Sequence, residues 1–282
     1  MSTTLKALRQ AVGKELNACV TGTADSATST TIVDADLEDS EESENRFYHW
    51  WLKMVSGDAE GDVRRVSAYT PSTGTLTVSR AFSATPAASD EYELHALISP
   101  EDLDRLINQA LDRLFYMDEQ EISAVSGQRN YGLATYTYLR TPDQLIDVLW
   151  KQGDTVSKYR YRPVGWFEVR DDAGSMTLDI RPYTVSSGDK IVLEIVRPYA
   201  ALSNDAASTD CPEDWAVAAA MVEVYDWLAR TDPTQDAEQV RRWRGTAARR
   251  LTRLSNRYAP RPARRIQHKD SIRSGYSSDV AV

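Results

Sequence analysis

The spacing of apolar residues along the chain predicts helices near its beginning, middle and end. In residues 1–17, leucine and valine recur every three or four positions, which is the helical repeat. In residues 99–128 the same repeat follows Ser99, a suitable N-cap, and Pro100 at the first helical position. A third helical region covers residues 203–256. These three regions are expected to meet in one bundle.

Two stretches between these helices alternate apolar and polar residues, as strands do. In residues 18–98 the segment "VSAYTPSTGTLTVS" predicts a hairpin, with Pro71 at its entry and Gly74 supplying a positive φ. In residues 129–202, five strand-like segments rich in Tyr and Trp are separated by turn signals. We therefore predict an α+β fold: a central helical bundle with two antiparallel β-rich insertions and an extended C-terminal arm over residues 257–282.

Charge is distributed unevenly along the chain. The segment from Arg241 to Val282 holds twelve Lys and Arg against Asp270 and Asp279, a net charge of +10. Because the whole chain carries −9, residues 1–240 carry −19. A body this acidic repels nucleic-acid phosphates, whereas the basic end attracts an acidic surface.

Composition narrows the class of protein further. No apolar run is long enough for a membrane span, and the N-terminus lacks a secretory pattern, so we expect no membrane association. The two cysteines, Cys19 and Cys211, lie far apart without a CxxC motif and are expected to be buried thiols. This usage suits folding in a reducing cytoplasm.

Residue patterns for catalysis or cofactor binding are missing. The three histidines, His49, His95 and His268, do not form a ligand pair, and no phosphate loop, GxGxxG, GxSxG or HExxH occurs. We therefore predict no enzymatic activity, no catalytic residues and no cofactor.

The acidic run at residues 34–44 contains seven carboxylates but departs from a calcium loop. Position six would be Asp39 where glycine is needed, and position twelve would be Asn45 where glutamate is needed. An EF-hand is excluded, no metal site is predicted, and loose binding of divalent ions stays open. The simpler interpretation is a solvated loop whose charges repel one another.

The aromatic segment "FYHWWLKM" at residues 47–54 allows two interpretations. If it is a strand, alternation places aromatic side chains on both faces, which burial on both sides explains. A platform that stacks on sugar rings is the alternative. We expect core packing.

The segment from "VTGTADSATSTTIVDADL" through "FYHWWLKMVSGDAEGDVRRVSAYTPSTGTLTVSRAF" to "DEYEL" resembles a module that recurs in structural proteins of tailed bacteriophages. It covers roughly residues 18–95. Helices framing β-rich insertions, followed by a basic C-terminal arm, resemble the head-to-tail adaptor (connector) proteins beneath the portal. The resemblance implies a dodecameric ring at the head–tail junction of the virion, with assembly in the host cytoplasm. It also implies a portal partner, a tail or nozzle protein below, and DNA that passes through the lumen without specific binding.

The basic arm is then expected to dock to the portal. Pro260 and Pro262 stop the last helix and favour an extended segment that becomes ordered on a partner. The predicted portal-binding residues are Tyr258, Arg261, Arg264, Arg265, Ile266, Arg273 and Tyr276. Nucleic acid is the rival target of the arm, since "RPARR" also suits phosphate. The rival functions are a tail or baseplate component with glycan-binding β domains, and a cytoplasmic DNA-binding assembly factor.

Overall fold

The fold was obtained as a computed structural model that describes residues 2–133, 145–151, 162–164, 166–172, 175–181, 188–231 and 237–259. The chain forms two compact units. The larger unit is built from Met1–Leu114 and Pro198–Tyr258, and the smaller unit is built from the intervening segment Phe115–Arg197. The smaller unit is therefore an insertion into the larger one.

Four α-helices occur in the described residues, all of them in the larger unit. They are α1 (Leu5–Glu15), α2 (Pro100–Asp112), α3 (Glu213–Thr231) and α4 (Ala237–Tyr258). The predicted start of α2 is confirmed, because the hydroxyl of Ser99 accepts a hydrogen bond from the backbone N–H of Asp102 at 3.1 Å. Helix α3 contacts each of the other three helices, and its buried side includes Trp215, Val224 and Leu228.

A seven-stranded antiparallel sheet is the largest element of the larger unit. Its strands are β2 (Cys19–Thr23), β3 (Ser26–Ala27), β4 (Thr31–Val33), β5 (Trp51–Met54), β6 (Val63–Thr70), β7 (Thr75–Val78) and β8 (Glu91–His95). They lie in the order β2-β8-β5-β6-β7-β4-β3. The predicted hairpin is confirmed between β6 and β7, where Gly74 has a φ of 57°. Side chains such as Phe47, Leu52 and Leu94 are fully buried in the core of this sheet.

Two short strands that are distant in sequence also pair in the larger unit. Strand β1 (Thr3–Thr4) lies antiparallel to β16 (Ser208–Thr209), so the beginning of the chain is hydrogen-bonded to the segment that precedes α3. Thr4 then caps α1, accepting a hydrogen bond from the N–H of Ala7 at 3.2 Å. The pairing fixes the position from which α1 begins.

The smaller unit is built from strands. They are β9 (Phe115–Ser123), β10 (Asn130–Gly132), β11 (Leu145–Lys151), β12 (Arg162–Pro163), β13 (Trp166–Asp172), β14 (Ser175–Arg181) and β15 (Lys190–Pro198). One sheet has the order β12-β11-β15-β9 and the other has the order β10-β14-β13. Val148, Leu178, Ile191 and Leu193 are fully or almost fully buried and form the core of this unit.

The predicted fold class, a central helical bundle with two antiparallel β-rich insertions and an extended C-terminal arm, is wrong. In the described residues the structure is mixed α/β, with four helices and several sheets, the largest of which is a seven-stranded antiparallel sheet. The seven-stranded sheet belongs to the same compact unit as the four helices and is not inserted into them. Local periodicity identified the helices, but long-range pairing decides which element they pack against. The arm beyond Ala259 lies outside the described residues.

The middle helical region also ends earlier than expected. We predicted a helical core segment over residues 99–128, but α2 ends at Asp112 and Phe115–Ser123 forms β9. From Phe115 onward, exposed and half-buried positions follow the two-residue repeat of a strand more closely than the helical one. The helical repeat therefore ends at Leu114, which is buried.

Candidate functional site

A buried cluster of charged side chains lies between the helices and the sheet of the larger unit. Arg9 of α1 is at its centre and has no exposed surface. Its Nε donates to Oε2 of Glu93 at 2.7 Å, its Nη1 to Oδ1 of Asp104 at 2.8 Å, and its Nη2 to Oδ2 of Asp205 at 2.8 Å. One guanidinium therefore binds three carboxylates from three different parts of the chain.

Two further side chains complete this cluster. The Nζ of Lys53 donates to Asp205 at 2.9 Å and to Asp104 at 3.3 Å. The side-chain amide of Gln10 donates to Oε1 of Glu93 at 2.9 Å. The cluster thus joins α1, β5, β8, α2 and the segment before β16, and every buried polar side-chain atom of the described residues has a hydrogen-bond partner.

Three members of the cluster, Glu93, Asp205 and Arg9, are held in their charged forms at neutral pH. Burial acts to raise the pKa of Glu93, but hydrogen bonds from His95 and Arg9 outweigh it, and the pKa falls to about 2. Burial likewise opposes ionisation of Asp205, but Arg9 and Lys53 lower its pKa to about 2. For Arg9, burial lowers the pKa, but hydrogen bonds to Asp205 and Glu93 raise it overall. Groups held so firmly in one protonation state suit stabilisation of the fold and not proton transfer.

Cys19, His95 and Glu93 lie close together, as the members of a nucleophile–base pair would. The Sγ of Cys19 is 4.0 Å from Nε2 of His95, and the same Nε2 is 3.0 Å from Oε2 of Glu93. A catalytic histidine uses one ring nitrogen for the nucleophile and the other for the group that orients the ring. Here Cys19 and Glu93 both face Nε2 of His95, so this division of roles is not met. Burial, followed by the nearby charge of Glu93, raises the pKa of Cys19 to about 12. The thiol is therefore protonated and unreactive at neutral pH.

The two predicted buried thiols are present as free cysteines. Cys211 is fully buried, and Cys19 is half-buried. Within the described ranges, no group of three or more His, Cys, Asp and Glu side chains is arranged to bind a metal ion.

The acidic run is a largely exposed loop in which one carboxylate is buried. Asp34 is buried and accepts hydrogen bonds from the hydroxyl of Tyr92 at 2.5 Å and from the N–H of Asp36 at 2.9 Å. Burial and the charge of Asp34 raise the pKa of Tyr92. The carboxylates that follow are mostly exposed, and Glu42 forms an ion pair with Arg46 at 3.1 Å.

The aromatic segment does not present an open stacking platform at Trp51. The strand begins only at this residue, so the predicted alternation does not apply to the four residues before it. Phe47 is fully buried, as core packing requires, while Tyr48 is 47% exposed and its ring lies 3.8 Å from that of His49. The guanidinium of Arg65 lies 3.9 Å above the ring of Trp51 and occupies that face.

Helix α4 carries a row of exposed arginines on the side opposite its buried residues. Val240 and Ala247 are buried, and the ring of Trp243 lies 6.0 Å from that of Tyr225. Three of the arginines of the helix pair with carboxylates: Arg242 with Glu238, Arg244 with Asp226, and Arg250 with Glu15. The other four have no carboxylate partner among the described residues, and we call them the arginine face: Arg241, Arg249, Arg253 and Arg257.

Of the predicted portal-binding residues, only Tyr258 lies within the described residues. It is the last residue of α4, its hydroxyl donates to Oδ2 of Asp214 at 3.3 Å, and its ring lies 5.9 Å from that of Trp215. Tyr258 therefore packs against the start of α3 as part of the helix. The other predicted residues lie outside the described part of the chain: Arg261, Arg264, Arg265, Ile266, Arg273 and Tyr276.

Sequence reasoning missed the buried cluster. The members of the cluster are separated by up to 196 positions, so no local motif predicts them: Arg9, Lys53, Glu93, Asp104 and Asp205. The exposed side of α4 is different, because the helical spacing of apolar residues such as Val240 and Ala247 already predicts that the arginines lie on the opposite face.

No family model matches the chain, and no curated protein is significantly similar to it. Among the described residues, no helix has the length and apolar character needed to cross a bilayer.

Proposed function

We propose that this protein is a non-enzymatic structural component of a tailed-bacteriophage virion, a head-to-tail adaptor that forms a ring beneath the portal. The observation that carries the proposal is the anchored end of α4. Tyr258 is held by Asp214 and Trp215, and the basic segment from Pro260 to Val282 follows within two residues. A basic segment that starts from a fixed point on a folded unit is suited to reach into a partner.

The chemistry of the segment favours a shaped protein groove. Arg261, Arg264 and Arg265 supply planar donors for carboxylate or carbonyl groups, and Ile266 and Tyr276 supply apolar anchors. Many arms that act from one ring share a high effective concentration, so a modest affinity of each arm is sufficient. The portal is therefore the proposed partner, with a tail or nozzle protein on the opposite side of the ring.

The net charge and the protonation states of the buried groups support a structural role. The net charge of −19 on residues 1–240 repels DNA, which suits a lumen through which DNA slides without specific binding. Burial keeps the Cys19 thiol protonated, and Glu93 and Asp205 stay ionised, so the best candidates for chemistry are inert.

The test compares the intact chain, a chain that ends at Ala259, and a variant with Arg261→Lys, Arg264→Lys and Arg265→Lys. Each is titrated against portal and against duplex DNA, and complexes are weighed by native mass spectrometry. We expect truncation to abolish portal binding and the lysine variant to weaken it, because lysine cannot reproduce the planar fork. A variant with Arg80→Lys and Arg129→Lys, two exposed arginines outside the arm, is the control.

Retention of portal binding by the truncated chain would contradict the proposal. If truncation removes only DNA binding, and this binding falls steeply with salt, the arm is a phosphate binder. A stable trimer of the isolated protein would instead favour a tail or baseplate component. The glycan-binding version of that alternative is less well supported, because Arg65 covers one face of Trp51.

A further inference from the structure

Two surfaces of the larger unit carry charges of opposite sign, and these charges have no oppositely charged partner among the described residues. One is the arginine face of α4. The other is the acidic loop, which we define as residues 36–44 between β4 and β5. Its exposed carboxylates without a cationic partner among the described residues are Asp36, Glu38, Asp39, Glu41 and Glu44.

The arginine face is a regular array. Arg249, Arg253 and Arg257 are four residues apart, so they repeat about every 6 Å along one side of the helix, and Arg241 extends the row to about 24 Å. Arg249 donates a hydrogen bond to the hydroxyl of Thr246 at 3.1 Å, and the guanidinium of Arg257 lies 5.0 Å from the centre of the Tyr258 ring, so neither contact neutralises the charge. Their guanidinium groups therefore have donors left for another acidic surface.

The acidic loop is held in place by the sheet beneath it. Leu37 is buried, and its carbonyl oxygen accepts a hydrogen bond from the hydroxyl of Tyr69. The N–H of Asp39 donates to the carbonyl oxygen of Pro71 at 3.0 Å, and the N–H of Glu42 donates to the carbonyl oxygen of Asp39 at 3.1 Å. Because the backbone is already ordered, less conformational entropy is lost when its carboxylates meet a partner.

We propose that the arginine face of one copy binds the acidic loop of a second copy of this protein. The two surfaces differ, and within the described ranges no hydrogen bond or ion pair joins them in one chain. A contact between two different patches is heterologous, and repetition of such a contact closes a ring when the rotation permits. This inference rests on the proposed function, which supplies the ring. It adds which two surfaces are in contact between neighbouring subunits of that ring.

A second copy fits this surface better than nucleic acid does. Each chain brings a loop of the required charge, at the same concentration as the arginine face itself. DNA that approached α4 would also meet the acidic body of residues 1–240, which carries −19. DNA binding by α4 is therefore kept as an outcome of the test.

The test uses charge reversal on each surface. The helix variant carries Arg249→Glu and Arg253→Glu, and the loop variant carries Glu38→Lys and Glu41→Lys. Self-association of the full chain is measured by sedimentation at about 10 mM salt, where the Debye length is about 30 Å, and at about 1 M, where it is about 3 Å. We expect self-association at low salt, its loss at high salt, and a rise of the dissociation constant of about tenfold or more in either variant.

Restoration separates a direct contact from general charge effects. In a mixture of the two variants, the charge-reversed helix of the first variant can bind the charge-reversed loop of the second. The native helix of the second variant can bind the native loop of the first, so association should return. A chain that carries all four substitutions should also associate. The control is Arg80→Glu with Arg129→Glu, which changes the net charge as much as the helix variant does but at exposed residues elsewhere. Thermal unfolding of each variant verifies that it folds.

Several outcomes would overturn the proposal. These are no self-association at low salt, a loop variant that associates normally, or two disrupted variants that do not restore each other. Loss of duplex DNA binding in the helix variant, with normal self-association, would make α4 a phosphate-binding surface. The chain that ends at Ala259 distinguishes this contact from portal docking, because it should lose portal binding and keep self-association.

Discussion

The Nε atom of Arg9 lies 2.7 Å from Oε2 of Glu93, and neither side chain has any exposed surface. Removal of the arginine would leave the buried carboxylate of Glu93 without its guanidinium partner, and a buried charge that has lost its partner is costly. We expect Arg9→Met to lower the free energy of unfolding by about 3–5 kcal/mol. Chemical denaturation at neutral pH measures this change.

The exposed pair Lys6–Glu91 provides the matched control. Its side chains are 28% and 54% exposed, so solvent screens their attraction. Lys6→Met should change the free energy of unfolding by less than about 0.5 kcal/mol. An equal effect of the two substitutions would show that the buried cluster does not stabilise the fold.

The same cluster predicts how stability depends on pH. The pKa of Glu93 falls from 4.5 to about 2 on folding, and that of Asp205 from 3.8 to about 2. A carboxylate with a lowered pKa stabilises the fold fully above its unfolded value and loses this contribution as pH falls through the folded value. We expect stability to fall between about pH 4.5 and 2, by an amount on the order of 3 kcal/mol for Glu93. In Glu93→Gln the stability should be lower at neutral pH and should fall less in acid, and unchanged acid sensitivity would contradict this assignment.

Two glycines with positive φ, Gly74 between β6 and β7 and Gly61 between β5 and β6, are expected to differ in how much an added methyl group destabilises the fold. Gly74 has a φ of 57°, and a Cβ there would collide with the backbone carbonyl oxygen of Asp34. Gly61 has a φ of 88°, but a Cβ there would meet nothing within 4 Å. Gly61→Ala should cost about 1 kcal/mol from backbone strain alone, while Gly74→Ala should cost about 3 kcal/mol or more. Equal shifts in thermal unfolding would show that Asp34 and Gly74 are not in close contact in solution.

Truncation from the C-terminus tests the boundary at Tyr258. A chain that ends at Ala259 retains the hydrogen bond to Asp214 and the contact with Trp215, so its thermal unfolding should match that of the full chain. A chain that ends at Asn256 loses both and should be less stable by about 1–2 kcal/mol. The opposite order of stability would place the boundary of the folded unit elsewhere.

Features encoded within a few residues could be predicted from the sequence. Ser99 and Pro100 marked the start of α2, and Gly74 marked the hairpin, because caps and turns depend on local backbone chemistry. The position of Arg9 among Glu93, Asp104 and Asp205 depends on pairings between distant segments. The predicted central bundle failed for the same reason, since spacing identifies an apolar face but not its neighbour.

Tyr258 illustrates the same limit at the level of a single side chain. Its sequence neighbours are basic and lie just before two prolines, which suggested an arm residue. Its partners, Asp214 and Trp215, are more than forty positions earlier and decide its role.

The insertion of the smaller unit has an architectural consequence. The chain leaves the larger unit at Leu114 and returns at Pro198, and the N–H of Tyr199 donates to the carbonyl oxygen of Leu114 at 3.2 Å. The residues at which the chain leaves and re-enters the larger unit are thus neighbours, so the eighty-odd residues between them form a cassette whose two ends are attached side by side. A cassette of this kind can be shortened, exchanged or replaced by a tight turn without reordering the host unit.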